Sequence, residues 1–312
     1  MAATFFVKTS PFIAAYSALL PEVCIKDKSE DAEQRVTRSR RSLTGMGSTS
    51  VGWGESQNSY LQIIFSIGFL TLVRLFWQHA VLIPNGWVHN SETIFVLGSL
   101  TAATHSTLLI PPLFSLLMTH PTKKPAACIS VSPPTWNYYA RALLSLTIAY
   151  MVQDGGCTLY YSYNFETGTL LFSEEDKLFL AHHFATVFCM VTCRMHGAGH
   201  YMIMCLMFFG EITNPFQNSY AVLEAANKSH PGLRITFLLY YSGKMFSFSY
   251  ILFRIFIAPF LAIWLLQDVL LTKKGRANVH PVLGLWWGVM TLGVMVGSIP
   301  FAFSTAKDAW DQ

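Results

Sequence analysis

The sequence predicts an all-α, multipass transmembrane helical bundle of about seven spans. Three observations predict it. Apolar residues make up 52% of the 312 positions and charged residues only 12%, against about 25% charged in an ordinary soluble domain. Several apolar runs reach the roughly 20 residues that carry a helix across a hydrocarbon layer. The Lys- and Arg-rich connectors between those runs fall on one face when the spans are counted in order, which the positive-inside rule makes cytoplasmic. This composition excludes a soluble fold with one stacked core. The net charge of +4 has no base-reading motif beside it, so nucleic acid is not an expected partner. Six cysteines, Cys24, Cys128, Cys157, Cys189, Cys193 and Cys205, are scattered without a CxxC pair, the pattern of neither a disulfide framework nor a zinc site.

Residues 1–55 read as an N-terminal segment. Thr9 to Val23 is moderately apolar and leaves an additional membrane segment or a signal peptide open, although a basic leading region and an A-x-A cleavage site are missing. Lys26 to Ser50, with Arg35, Arg38, Arg40 and Arg41, reads as a disordered basic linker, a solvated topology signal before a phosphate site. A membrane domain over 56–304 and a short tail over 305–312 follow.

The first span is expected from Tyr60 to Ile83, closed by Pro84-Asn85-Gly86, with Arg74 reaching an interface along its own stem. The second is expected from Thr93 to Met118, kinked at Pro111-Pro112. Thr119 to Asn137 holds Lys123, Lys124 and four prolines and reads as a loop. A third span is expected from Tyr138 to Asp154, and the acidic loop Gly155 to Glu175 follows on the opposite side. The fourth runs from Asp176 to Cys193, and a short fifth from His200 to Thr213 is stopped by Pro215. Gln217 to Gly232 suggests a surface or re-entrant helix. Leu233 to Leu271 is too long for one straight crossing and is expected to break at Gly243-Lys244 and Pro259. The last span covers Val282 to Phe303.

Ionisable side chains at membrane depth are costly and tend to face a bundle interior, where they mark sites. Adjacent His182 and His183 sit in the fourth span, Glu211 and Asn214 at the end of the fifth, and His105 in the second. On a helix the two histidines point about 100° apart, so only one faces the centre of a cavity. Thr186, three and four residues on, is placed to hydrogen-bond either ring. Imidazole at neutral pH serves as base, nucleophile or metal ligand, and a pair of histidines in a bundle also serves as a plain hydrogen-bonding node. His196 and His200 have the spacing of a helical zinc pair, but Gly197 and Gly199 oppose a helix there, so no metal is expected. Glu211, Asn214 and Asn218 share one helical stripe, and Pro215 clashes with the carbonyl of Glu211, opening a polar notch.

His105-Ser106, Tyr150 with Asp154, Ala181-His182-His183, and Phe209-Gly210-Glu211-Ile212-Thr213-Asn214-Pro215-Phe216-Gln217-Asn218 together resemble the TLC domain family over about Tyr60 to Phe303. Within it, they resemble the branch called TLC domain-containing protein 4. The resemblance implies an integral protein of the endoplasmic reticulum or a related endomembrane, its amino terminus cytoplasmic, built around a lipid-accessible cavity. It implies membrane lipids as partners and a role in lipid homeostasis through binding, sensing or trafficking, with a homo-oligomer left open. Ceramide synthases, also of this family, join an acyl group from acyl-CoA to a long-chain amine through paired histidines and downstream aspartates. By that resemblance His182, His183, Asp154 and Glu211 are the candidate catalytic residues, with acyl-CoA as co-substrate and no other cofactor. His105, Tyr150, Thr186, Asn214 and Asn218 are the candidate lipid contacts. The synthase pattern H-D-x-S-D stands here as Gly210-Glu211-Ile212-Thr213-Asn214, so one acid is kept as Glu and the other is an amide.

Overall fold

The computed structural model describes residues 53–311 apart from 89, 165–166 and 231–234. The apolar stretch Thr9 to Val23 and the basic linker lie outside the described residues. The described chain is helical almost throughout. Helix α1 (Trp53–Phe76) passes into a π-helical turn (Trp77–Leu82) and a short 3-10 turn (Ile83–Asn85). The turn closes on Gly86 at φ 80°, where glycine meets no Cβ penalty. Helix α2 (Ser91–Thr119) starts where the Asn90 side chain accepts the Thr93 amide, satisfying one of the donors that a helix start leaves open. It runs through Pro111 and Pro112 without interruption.

Helix α3 (Pro134–Ser162) is longer than the span expected from Tyr138 to Asp154 and absorbs Gly155 and Gly156, so the acidic loop shrinks to a small hairpin, β1 (Tyr163–Asn164) against β2 (Thr169–Leu170). Residues 142–151 of α3 are buried in an unbroken row, which makes it the central helix: a helix covered on every side has no solvent or lipid face to show in its pattern. Helix α4 (Glu174–His196) opens with a capping box between Ser173 and Asp176 and ends on Gly197 at φ 70°. After α5 (His200–Glu211), a two-residue turn leads into α6 (Asn214–Ser229), with Pro215 in its first turn. A proline there gives up an amide that had no helical partner, so the chain breaks cleanly beside Glu211. Helix α6 packs against α2 and the next helix rather than lying apart as a surface element.

Helix α7 (Thr236–Tyr250) continues through a π-helical stretch (Ile251–Ile257) into α8 (Ala258–Leu271). No break forms at Gly243-Lys244 or Pro259. Pro259 falls in the first turn of α8, where the hydrogen-bond ladder is already changing from five-residue to four-residue spacing and a missing amide costs little. A short α9 (Lys273–Asn278) and a long α10 (Pro281–Asp311) complete the chain, the last running through the expected tail.

Five helices among the described residues are long and apolar enough to cross a membrane: Tyr60–Asn85, Glu92–Thr119, Asp176–His196, Thr236–Leu271 and Pro281–Pro300. Helix α3 has the length as well, roughly 43 Å at 1.5 Å per residue, but carries more polar residues. Helix α5 reaches only roughly 18 Å by the same measure, short of a 30 Å hydrocarbon layer. Phe95, Phe184, Phe248, Phe256, Phe260 and Phe303 point outward, an apolar exterior suited to lipid. The core is made by Leu109, Leu113, Leu144, Met190, Met202, Met204 and Trp287, all buried.

Three basic connectors meet at one end of the bundle, with Ala126 as their junction. Its amide donates to Asp268 (2.9 Å) and its carbonyl accepts from Asn278 (2.9 Å), beside the Lys273-Lys274-Arg276 segment. The neighbouring residues pair with the α4–α5 turn, Ile129 N to Gly197 O at 2.8 Å and Gly199 N to Ala127 O at 3.1 Å. His120 lies under this junction between Trp136 and Tyr201. Its Nδ1 accepts from the amides of Thr122 and Lys123 at 3.3 and 3.2 Å, and Nε2 is 3.2 Å from the Ser132 hydroxyl. Burial pushes its pKa down to about 4.

Candidate functional site

Near the middle of the long helices, α2, α3, α4, α5 and the start of α6 bring their polar residues into one chain of contacts. It begins on α4. The Nδ1 of His183 lies 3.0 Å from the Phe179 carbonyl oxygen. A carbonyl only accepts, so Nδ1 carries the ring proton. A neutral His183 therefore turns an unprotonated Nε2 toward Asp154 Oδ2 of α3, 3.5 Å away.

The same oxygen of Asp154 accepts the Tyr150 hydroxyl at 3.0 Å. These residues are four apart on α3, on one face of the helix. The Tyr150 ring stacks on His105 of α2, with centroids 4.2 Å apart and planes at 14°. His105 in turn presents Nδ1 to Glu211 Oε2 at 3.7 Å, and neither of its ring nitrogens has a hydrogen-bond partner. Glu211 is anchored on the same oxygen by the Ser106 hydroxyl at 2.5 Å and the Asn214 amide at 3.0 Å. The turn after α5 makes this geometry. Thr213 caps the Gly210 carbonyl through its hydroxyl at 2.8 Å, which holds Asn214 back against Glu211.

Seven side chains, His183, Asp154, Tyr150, His105, Glu211, Ser106 and Asn214, thus form a continuous polar path, with Asp154 and Asn214 half-buried and the rest buried. Of the expected residues, three stand elsewhere. Thr186 donates to the His182 carbonyl of its own helix at 2.8 Å and to neither imidazole ring; a back-bond to i−4 is the nearest acceptor a threonine meets on a helix. Asn218 donates to the Asn214 carbonyl at 2.8 Å and supports the α6 backbone. His182 is half-buried, its ring 5.7 Å from that of His183, and it faces away from Asp154, as the rotation between adjacent helical positions requires. The imidazole that joins the two carboxylates' path is therefore that of His183.

A further ionisable residue, Arg254, stands in the π-helical stretch, which packs against α5. Arg254 Nη2 lies 3.4 Å from the Gly210 carbonyl, next to Glu211. Nothing in the reading of the sequence singled it out, yet the signal was the one that selected His182 and Glu211: an ionisable residue inside an apolar run.

A groove of about 330 Å³ lies between α1 and α2, lined by Phe69, Leu72, Val73, Phe76, Trp77 and Thr104. Its apolar walls suit an acyl chain, and Thr104 precedes His105 in sequence. The Trp77 indole donates to the Thr104 hydroxyl at 2.9 Å.

Residues 96–300 match the family model described as the TLC domain. A TLC domain-containing protein of Arabidopsis thaliana is 32% identical over 101 residues, which are 31% of this chain and 34% of that relative. The alignment thus spans about a third of the relative's own length. All the residues of the polar path lie inside the matched range, which covers well over half of the chain. The chain is a multipass, all-helical membrane protein that belongs to the TLC domain family.

Proposed function

We propose that this protein handles membrane lipids, receiving the polar end of a lipid on the path from His183 to Asn214 and so taking part in lipid homeostasis by binding, sensing or trafficking. The observation that carries this reading is the path itself. It places imidazole, phenol, carboxylate and amide groups within the depth of the bundle, where each is costly unless it has a use. Two of its members, His105 and His183, keep ring nitrogens without partners. A lipid hydroxyl, amine or ester supplies donors and acceptors for them, while the acyl chains leave into the apolar exterior. Kinship to the branch called TLC domain-containing protein 4, residence in the endoplasmic reticulum or a related endomembrane, and a cytoplasmic amino terminus belong to this proposal. They rest on the motifs that resemble the family and on the shared end of the basic connectors. The test is to purify the protein in mild detergent, extract and weigh the bound lipids by mass spectrometry, and repeat with His105→Ala. A defined lipid class retained by the natural protein and lost from the variant supports the reading. Equal, unselective lipid in both would end it.

A second reading, acyl transfer from acyl-CoA to a lipid amine or hydroxyl, is favoured by one specific observation, the Asp154–His183 pair. In that reaction His183 Nε2 takes the proton of the attacking amine or hydroxyl, the new acyl bond forms, and the coenzyme thiolate leaves and takes up a proton. Acyl product that appears with the natural protein and vanishes with His183→Ala supports it; lipid binding without product leaves the first reading alone.

A further inference from the structure

Arg254 stands midway along the longest apolar helix, eighteen residues from the start of Thr236–Leu271 and seventeen from its end, so roughly 26 Å of helix separates it from either end. A guanidinium is charged at every physiological pH and carries five N–H donors. Here one donor makes a long contact, 3.4 Å, to the Gly210 carbonyl. The guanidinium carbon lies 5.6 Å from the Tyr250 ring centroid, a position on the aromatic face, and Nε is buried without a partner. Among the described residues no carboxylate lies within ion-pairing distance of it. Glu211, one residue from Gly210, spends an oxygen on Ser106 and Asn214 instead.

A cation with no counter-charge at that depth is costly, and such residues in membrane helices pair or meet a charged ligand. The π-helical stretch Ile251–Ile257 that carries it is a local irregularity of the kind found at functional positions.

We propose that Arg254 is the anion-binding arm of the site and receives a lipid oxyanion, a phosphate or a carboxylate. The proposal rests on the lipid-handling reading above and adds the charge of the lipid to it. The chemistry fits on both sides. The planar fork of arginine matches the two oxygens of a phosphate or carboxylate. Phe248, Phe256 and Phe260 of the same continuous helix face outward, an apolar exterior that favours an anion carried on acyl chains.

The test uses the full-length protein, stripped of lipid in maltoside micelles, with binding followed by tryptophan fluorescence. The probes are dioctanoyl phosphatidic acid, oleate, uncharged dioctanoylglycerol and inorganic phosphate. The natural protein binds phosphatidic acid or oleate about tenfold or more tightly than dioctanoylglycerol, the size expected of charge-assisted hydrogen bonds. The better of the two anionic lipids identifies phosphate or carboxylate. Arg254→Gln abolishes the preference, and Arg254→Lys restores part of it. Equal affinity of the natural protein for charged and uncharged lipids, or an undiminished preference in Arg254→Gln, overturns the proposal while the lipid site stands. Inorganic phosphate that binds as tightly as phosphatidic acid overturns the lipid source. No binding of any lipid removes the lipid site and the anion arm together. Should Arg254→Gln fail to fold, the preference of the natural protein among the four probes decides alone.

Discussion

Tyr150 lies flat on His105, ring centroids 4.2 Å apart, and through this one stacked pair the Asp154 and Glu211 carboxylates become parts of a single arrangement. The phenol hydroxyl serves Asp154, while the imidazole edge serves Glu211. Central helix α3 and helix α2 are thereby joined at their polar positions as well as through their leucines.

Substitutions at Tyr150 separate the two halves of this contact. Tyr150→Phe keeps the stack and loses the hydrogen bond to Asp154, at a cost of about 1 kcal/mol. Tyr150→Ala also opens a cavity, at a cost of about 3–5 kcal/mol. Thermal unfolding of both variants in one detergent is expected to place Tyr150→Phe close to the natural protein and Tyr150→Ala far below it.

At Glu211, shape and charge are separable. Glu211→Gln keeps an oxygen for Ser106 and Asn214, and the protein is expected to fold with its bound lipid altered. Glu211→Ala leaves both donors buried without an acceptor, each costing about 1–3 kcal/mol, and is expected to lower the yield of folded protein on size-exclusion chromatography.

Much of this was legible in the sequence, and what was not has a physical reason. Hydropathy located the spans because a bilayer demands about 20 apolar residues, the cost of polar groups at depth singled out His105, the His182-His183 pair and Glu211, and Asp154, at the end of its expected span, came from the family resemblance. The rotation of a helix about its axis is set by packing, so the choice of His183 over His182 as the partner of Asp154 needed the structure. Thr186 had two rings and a backbone carbonyl in reach, and the carbonyl was nearest. Arg254 was hidden because Leu233 to Leu271 invited a search for breaks, and the irregularity is a π-helical stretch that leaves no Gly or Pro mark at its centre. Helix α3 was read short, ending at Asp154, yet it continues through Gly155, buried against Leu180, and through the exposed Gly156.

The turn between α4 and α5 depends on Gly199. Its φ is 86°, and a Cβ there would lie 2.8 Å from the Trp287 ring, whose indole nitrogen donates to Thr192 at 2.8 Å. Gly199→Ala therefore carries a left-handed backbone penalty of about 1 kcal/mol and must also displace a buried tryptophan. A clear fall in melting temperature, with a shift in tryptophan emission, is the expected result.

His120 makes the junction of the connectors sensitive to acid. Burial holds its folded pKa near 4, below the value of about 6.5 of an unfolded chain, so the unfolded state takes up the proton first. Its contribution is full above pH 6.5 and declines as the pH falls toward 4. Protonation also removes Nδ1 as acceptor for the Thr122 and Lys123 amides. Melting temperatures between pH 7.5 and 4.5 are expected to fall, and His120→Gln is expected to flatten that slope.

The central claim is that the Asp154 and Glu211 ends of the path serve one bound lipid, and a double-mutant cycle of Asp154→Asn with Glu211→Gln on retained lipid tests it most directly. If one lipid touches both ends, the double variant retains about as much as the weaker single variant, a coupling of about 0.5–3 kcal/mol. Losses that simply multiply would show two independent sites and contradict the account.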